Sequence, residues 1–65
     1  MMTYEEFMDT ELRDELSVTH YEPELGIVYA TVNNGFFYRS EYYGYSTQVA
    51  FHLDTGIIHT VWTDR

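Results

Sequence analysis

The sequence contains no cysteine and no lysine, and it has one proline among its 65 residues. Without cysteine the chain forms neither disulfides nor thiolate metal sites, so its apolar side chains or a second chain must stabilise the fold. No apolar run approaches the roughly 18 residues of a membrane-spanning helix, so we predict no membrane span. The start, Met1 to Glu6, is acidic where a secretory signal would be basic, which favours a cytoplasmic location.

Acidic residues are abundant, with eleven Asp and Glu against three Arg and a net charge of −8. Eight of the eleven carboxylates lie within the first 24 residues. This charge repels nucleic-acid phosphates and anionic membranes, so we expect neither to bind the chain directly. It favours a protein partner with a basic surface. The same charge would also keep a small domain soluble, which is the simpler interpretation.

Twelve aromatic residues provide most of the apolar surface that this chain can bury. Each ring can bury roughly 150–250 Å². A chain of this length nevertheless buries only about 60% of the surface that it exposes when unfolded. We therefore predict a single domain over residues 1–65 that gains further burial by forming a homodimer.

A helix is predicted over residues 4–16. Thr3 and Glu6 have the spacing of a capping box, in which each side chain accepts a hydrogen bond from the other residue's amide. Asp9 and Arg13 are spaced for an ion pair between successive turns. The apolar residues that recur at helical spacing are Tyr4, Phe7, Met8, Leu12 and Leu16.

Several carboxylates are poorly placed for the stability of that helix. Glu11 and Glu15 fall beside the apolar stripe, while Asp14 and Glu15 lie in the last turn, where the helix dipole prefers cations. Either the helix frays near Arg13, or these carboxylates face a partner.

The remainder of the chain has the pattern of β-strands separated by turns. Pro23 and Gly26 mark one turn, Asn34-Gly35 is typical of a tight hairpin, and Thr55-Gly56 marks another hairpin. We therefore predict an α+β fold in which one N-terminal helix packs on a four- to five-stranded antiparallel β-meander. The predicted strands cover residues 17–21, 27–33, 36–43, 45–53 and 57–63.

The register of the hairpin at Asn33–Gly35 determines which aromatic side chains are buried. A three-residue loop with a bulge would leave Tyr29, Phe37 and Tyr43 on the face opposite the core, whereas a two-residue turn would shift the pairing by one. The sequence leaves both registers open. With the three-residue loop, the predicted core face carries Val28, Ala30, Val32, Phe36, Tyr38 and Tyr42.

The sequence gives only weak signals for a metal site or for catalysis. His52 and His59 flank the second hairpin and, with Asp54 nearby, could hold a divalent metal, but such spacings arise often by chance. Paired carboxylates need unlike environments for acid–base catalysis, and no phosphate-binding loop or nucleophile motif is present. We predict no enzyme activity, catalytic residue, metal or cofactor.

The leading hypothesis is a small acidic protein-binding module. Six carboxylates from Glu5 to Glu15, on a helix about 21 Å long, give about one charge per 3.5 Å, close to the phosphate spacing of roughly 3.4 Å along a DNA strand. A viral protein such as a phage-type inhibitor, which occupies the basic surface of a nucleic-acid-binding or defence protein, would fit this pattern. The predicted partner-binding residues are Glu5, Asp9, Glu11, Asp14, Glu15, Glu22, Glu24, Tyr29, Phe37 and Tyr43.

The alternative hypothesis is a structural or regulatory subunit that self-associates. In this interpretation the aromatic face of the sheet forms the homodimer interface, and the acidic segment serves solubility alone.

Overall fold

The structure, a computed structural model, describes residues 2–62. It confirms the predicted α+β class, with two short helices and antiparallel strands. The last predicted strand extends to Thr63, which lies outside the described residues. The elements are α1 (Tyr4–Met8), α2 (Leu12–Glu15), β1 (Leu16–Glu22), β2 (Ile27–Val32), β3 (Phe36–Tyr38), β4 (Glu41–Tyr43), β5 (Gln48–His52) and β6 (Ile58–Trp62).

The predicted single helix is interrupted at Thr10. Its hydroxyl donates a 2.6 Å hydrogen bond to the Phe7 carbonyl and accepts one of 3.3 Å from the Leu12 amide. Such local side-chain bonds compete with the helical backbone ladder, so the chain turns here and starts a second helix. The prediction of one helix over residues 4–16 was therefore wrong.

The start of α1 follows the sequence pattern. The Glu6 amide donates to the Thr3 hydroxyl at 3.1 Å, and the Thr3 amide donates to the Glu6 carboxylate at 2.8 Å, which confirms the capping box. The predicted ion pair between Asp9 and Arg13 does not form, because α1 ends at Met8 and Arg13 belongs to α2. The Arg13 guanidinium instead donates to the Met8 carbonyl at 3.3 Å.

The sheet topology differs from the predicted meander. The main sheet has the strand order β1-β2-β5-β6, while β3 and β4 form a separate two-stranded sheet. The chain reverses between β3 and β4 at Arg39 and Ser40, whose φ angles of 51° and 68° meet the requirement of a two-residue type I′ turn. The predicted strand over residues 36–43 is therefore two short strands, and β2 pairs with β5.

Asn33 fixes the end of α2 instead of starting a hairpin. Its amide donates to the Glu15 carbonyl at 2.9 Å, and its side-chain amide donates to the Asp14 carbonyl at 3.2 Å. Its side-chain oxygen accepts a 2.5 Å hydrogen bond from Ser17. These bonds satisfy carbonyls that the end of a helix leaves without partners.

The core lies on one face of the four-stranded sheet, beneath the helices and the β3–β4 hairpin. Phe7 is fully buried, with its ring centroid 4.8 Å from that of Phe51. Val28, Ala30 and Val32 are buried as predicted, while Phe36 and Tyr38 are partly buried against the core.

Tyr42 and Tyr43 exchange their predicted places. Tyr43 is 5% exposed and Tyr42 is 57% exposed. The reversal between β3 and β4 pairs Phe36 with Tyr43 and Phe37 with Tyr42. Because directly paired residues share a face, Tyr43 joins Phe36 toward the core.

Two phenolic hydrogen bonds join the small sheet to the large one. Tyr38 donates to the Gly56 carbonyl at 2.6 Å, and Tyr43 donates to the Ile58 carbonyl at 3.3 Å. The ring of Tyr38 also meets Phe51 edge-on, at a centroid distance of 6.3 Å. The hairpin is thereby held beside the helical segment.

The opposite face of the four-stranded sheet is polar and aromatic. His20, Tyr29, Ala50 and His59 lie in register across its four strands. Of these four, only Ala50 is buried. No helix within residues 2–62 is long and apolar enough to cross a bilayer.

Candidate functional site: an acidic aromatic groove

A groove of about 530 Å³ lies between the helical segment and β3. Its size falls in the range of about 300–1,000 Å³ that is usual for binding clefts. Its lining combines two carboxylates with aromatic and aliphatic side chains. The residues that line it are Met2, Thr10, Glu11, Leu12, Glu15, Phe36, Phe37, Tyr38 and Phe51.

Glu11 and Glu15 form the acidic side of the groove. They stand four residues apart at the two ends of α2, a spacing that makes side chains neighbours on one helical face. Like charges in this arrangement cost a few tenths of a kcal/mol. Among residues 2–62 the one contact within 4.0 Å between a basic and an acidic side chain joins His20 and Glu22, at 3.5 Å, so no basic side chain of this part of the chain lies that close to either groove carboxylate.

Phe37 provides the most exposed aromatic surface of the groove. It is 74% exposed, and its ring packs against Tyr42 at a centroid distance of 5.0 Å. Phe36 and Tyr38 expose only part of their rings because each also packs on the core. A large apolar side chain held this exposed is a common feature of contact surfaces.

Both sides of the groove are anchored to the main sheet. The hydrogen bonds of Asn33 hold the end of α2, and the phenol of Tyr38 holds the hairpin. The helical segment is also fastened at its start, since the Met2 amide donates to the Leu53 carbonyl at 3.0 Å. A site whose sides are fixed in advance loses less entropy when a ligand binds.

The groove brings together three of the predicted binding residues, Glu11, Glu15 and Phe37. Glu24 lines a different hollow, of about 330 Å³, at the turn between β1 and β2. Tyr29 lies on the opposite face of the sheet. The predicted binding residues that line neither hollow are Glu5, Asp9, Asp14, Glu22, Tyr29 and Tyr43.

Tyr43 was predicted as an exposed anchor, and its burial contradicts this. Burial raises the pKa of its phenol above the usual value of 10.0, and the nearby Glu41 and Tyr38 act in the same direction. With its hydroxyl bonded to the Ile58 carbonyl, this side chain stabilises the fold and offers no contact surface.

The helix dipole has little effect on Asp14 and Glu15. The helix that carries them has four residues, so its first and last turns coincide. A single turn has little macrodipole to oppose these charges. The position of Glu15 in the groove is the feature that distinguishes it from Asp14.

Some groove residues were not expected from the sequence. The sequence pattern predicts no site role for Met2 and Thr10, and it predicts only core positions for Phe36 and Tyr38. The dense aromatic run at residues 36–38 was the available signal, but its place beside the helices depends on the unexpected reversal at Arg39 and Ser40.

The rings of His52 and His59 are in contact, with centroids 4.8 Å apart, but the two residues lie diagonally across the β5–β6 hairpin and not directly opposite each other. The hairpin pairs Ala50 with His59, and the His52 amide donates to the Ile57 carbonyl, so Thr55 and Gly56 are part of a loop that is longer than two residues. Within residues 2–62, no three His, Cys, Asp or Glu side chains are grouped to hold a metal.

Comparisons with protein-family models, with curated proteins and with solved structures found no match.

Proposed function

We propose that this chain is a small protein-binding module that docks on a basic surface of a partner protein, with the groove at the centre of the contact. The observation that carries the proposal is the meeting of Glu11, Glu15 and Phe37 in one groove. An aromatic side chain that becomes buried on binding, beside charges that complement those of the partner, is a frequent centre of binding energy in protein interfaces. The interaction would take place in the cytoplasm of the source or host cell.

The carboxylates outside the groove contribute at long range. Glu5, Asp9 and Asp14 are exposed on the same N-terminal segment, and the whole chain carries a charge of −8. Such a field accelerates the encounter with a basic partner, and salt weakens it. In this account the field steers the partner, while the groove determines which basic surface fits.

A nucleic-acid-binding or defence protein offers a basic surface of this kind, so a phage-type inhibitor remains one form of the proposal. The regular charge spacing along one long helix does not support it, because the helix is interrupted at Thr10. Support comes from the charge and from the groove.

Self-association is a second candidate, favoured by the exposed edge strand β6. Val61 and Trp62 in this strand are 58% and 56% exposed, and Ile57 immediately before it is also exposed. An edge strand has unpaired backbone N–H and C=O groups, and when its side chains are apolar it can pair with a second copy of the chain. Sedimentation of the pure protein tests this: a dimer that a Val61→Lys change dissociates would support it, and a monomer at all concentrations would contradict it.

The docking proposal is tested by capture from the lysate of the native host, followed by measurement of the captured protein's affinity. The bait is compared with a Glu11→Gln/Glu15→Gln variant and with a Glu22→Gln/Glu24→Gln control of equal charge. We expect a basic partner that binds the control but does not bind the groove variant. Its affinity should fall between 50 and 500 mM salt, because the electrostatic screening length changes by about threefold over this range. An affinity that neither salt nor the groove variant changes would contradict the proposal.

A further inference from the structure

We infer that the groove receives an arginine side chain of the partner, flanked in the partner's sequence by an apolar residue. This inference rests on the proposed function and names the chemistry of its central contact. The sides of the groove differ in character: Glu11 and Glu15 supply negative charge, while Phe36, Phe37 and Tyr38 supply aromatic surface.

A cation fits the acidic side for an electrostatic reason. The two carboxylates repel each other across one helical turn, and the described part of the chain places no cationic group within 4.0 Å of them. A guanidinium between them would remove this repulsion and gain charge-assisted hydrogen bonds. The net charge of −8 adds a field that attracts cations and repels carboxylate-bearing segments.

The aromatic side favours arginine over lysine. A guanidinium is planar and weakly hydrated, so it stacks on rings and enters a partly apolar site at lower cost than an ammonium. This chain already makes one such contact, since the Arg39 guanidinium lies 5.5 Å from the ring centroid of Tyr38. The same preference applies to the rings of Phe36 and Phe37, which line the groove.

The volume and the floor of the groove set the size of the occupant. A groove of about 530 Å³ is larger than one guanidinium and can take the aliphatic stem of arginine with a neighbouring side chain. Met2 and Leu12, which are only partly buried, line it with apolar surface. The stem and an adjacent leucine or similar residue would cover this surface, as long cationic side chains commonly do.

The test uses three labelled peptides that differ at one position: acetyl-Gly-Leu-Arg-Leu-Gly-amide and its lysine and citrulline counterparts. Citrulline keeps the planar shape of arginine but lacks its charge. Binding is measured by fluorescence anisotropy. We expect the arginine peptide to bind at least about tenfold more tightly than the citrulline peptide, because charge-assisted hydrogen bonds exceed neutral ones by about that much.

Protein variants locate the binding. Glu11→Gln/Glu15→Gln and Phe37→Ala should each weaken the arginine peptide by about tenfold, while the Glu22→Gln/Glu24→Gln control should bind it as the wild type does. Circular dichroism checks that every variant is folded. Equal binding of arginine and citrulline, equal binding of arginine and lysine, or an equal loss in the control would each overturn the inference.

The two proposals fail separately. If a basic partner protein binds in a salt-sensitive way and loses affinity in the Glu11→Gln/Glu15→Gln variant, but the arginine peptide binds no more tightly than the citrulline or lysine peptide, the arginine inference is wrong and docking through the groove stands. If no basic protein binds, docking itself is wrong.

Discussion

The phenol of Tyr43 reaches across the boundary between the two sheets and donates a 3.3 Å hydrogen bond to the carbonyl of Ile58. It does so from a position that is 5% exposed, on a hairpin that is also held by the hydrogen bond from Tyr38 to Gly56 and by the packing of Tyr38 on Phe51. The position of the β3–β4 hairpin, and with it one side of the groove, therefore depends on a small number of specific contacts.

Tyr43 should make stability fall at alkaline pH. Burial raises its pKa above 10.0 in the folded state, so the unfolded chain ionises first. This contribution to the free energy of unfolding is fully present below pH 10.0 and is lost as the pH rises through the folded-state pKa. Urea unfolding at several alkaline pH values, with tyrosinate absorbance followed in parallel, measures it.

The control for this prediction is Tyr43→Phe. We expect it to cost about 0.5–1.5 kcal/mol at neutral pH through loss of the hydrogen bond, and to flatten the decline of stability above pH 10.0. An alkaline decline of the same steepness in the variant would show that Tyr43 does not cause it.

Gly35→Ala should be more destabilising than Gly26→Ala. Both glycines have positive φ, 94° and 65°, where a Cβ costs about 1 kcal/mol. A Cβ at Gly26 meets nothing within 4 Å, whereas one at Gly35 meets the hydroxyl and ring of Tyr42, which packs on Phe37. We expect Gly35→Ala to lower the free energy of unfolding, measured with urea, by about 2 kcal/mol in total. Equal losses at the two sites would mean that Tyr42 moves aside freely.

Ser40→Gly should stabilise the protein. Ser40 has a φ of 68° in a two-residue turn that usually carries glycine or asparagine. Removing the strained Cβ should raise the free energy of unfolding by about 0.5–1 kcal/mol. The same change at Ser17, in strand β1, should lower it, since glycine weakens a strand. A loss of stability at Ser40 would indicate that the turn does not have this geometry.

Asn33→Ala should lower both the stability of the protein and the affinity of the groove for its ligand. The Asn33 side chain holds the Asp14 carbonyl at 3.2 Å and accepts from Ser17, so Asn33→Ala leaves a helix end without its partner. We expect a cost of about 1–2 kcal/mol and weaker binding in the groove, because the position of Glu15 is no longer fixed. Asn34→Ala, at the exposed neighbour, should stay within about 0.5 kcal/mol of wild type. Equal effects of the two changes would contradict the assigned role.

The features that could be predicted from the sequence are those set by local chemistry. The capping box of Thr3 and Glu6 depends on residues three apart, and the alternating burial of Val28, Ala30 and Val32 follows from strand geometry. Both were confirmed, and so was the α+β class.

The predictions that failed depended on competition between distant partners. Asn34-Gly35 has the residue types of a hairpin turn, but the long-range pairing of β2 with β5 and the bonds of Asn33 to α2 prevail over that local preference. The actual reversal uses Arg39 and Ser40, neither of which is the glycine, asparagine or aspartate typical of a two-residue turn with positive φ. Since this reversal decides whether Tyr42 or Tyr43 is buried, the register could not be found from the sequence.

For the same reason, the acidic side of the candidate site could be predicted from the sequence and its aromatic side could not. Glu11 and Glu15 were singled out because their position beside the apolar stripe conflicts with a stable helix, and both line the groove. The aromatic side of the groove required the hairpin to fold back beside the helices, which is a long-range event.

The most direct measurement follows backbone amide shifts of isotopically labelled protein by nuclear magnetic resonance while the arginine peptide is added. Binding of the arginine side chain in the groove should produce the largest shifts in residues 11–15 and 36–38, the two sides of the groove, and these shifts should disappear in the Glu11→Gln/Glu15→Gln variant. Shifts concentrated around Tyr29 on the opposite face of the sheet, or at the turn near Glu24, would contradict binding in the groove.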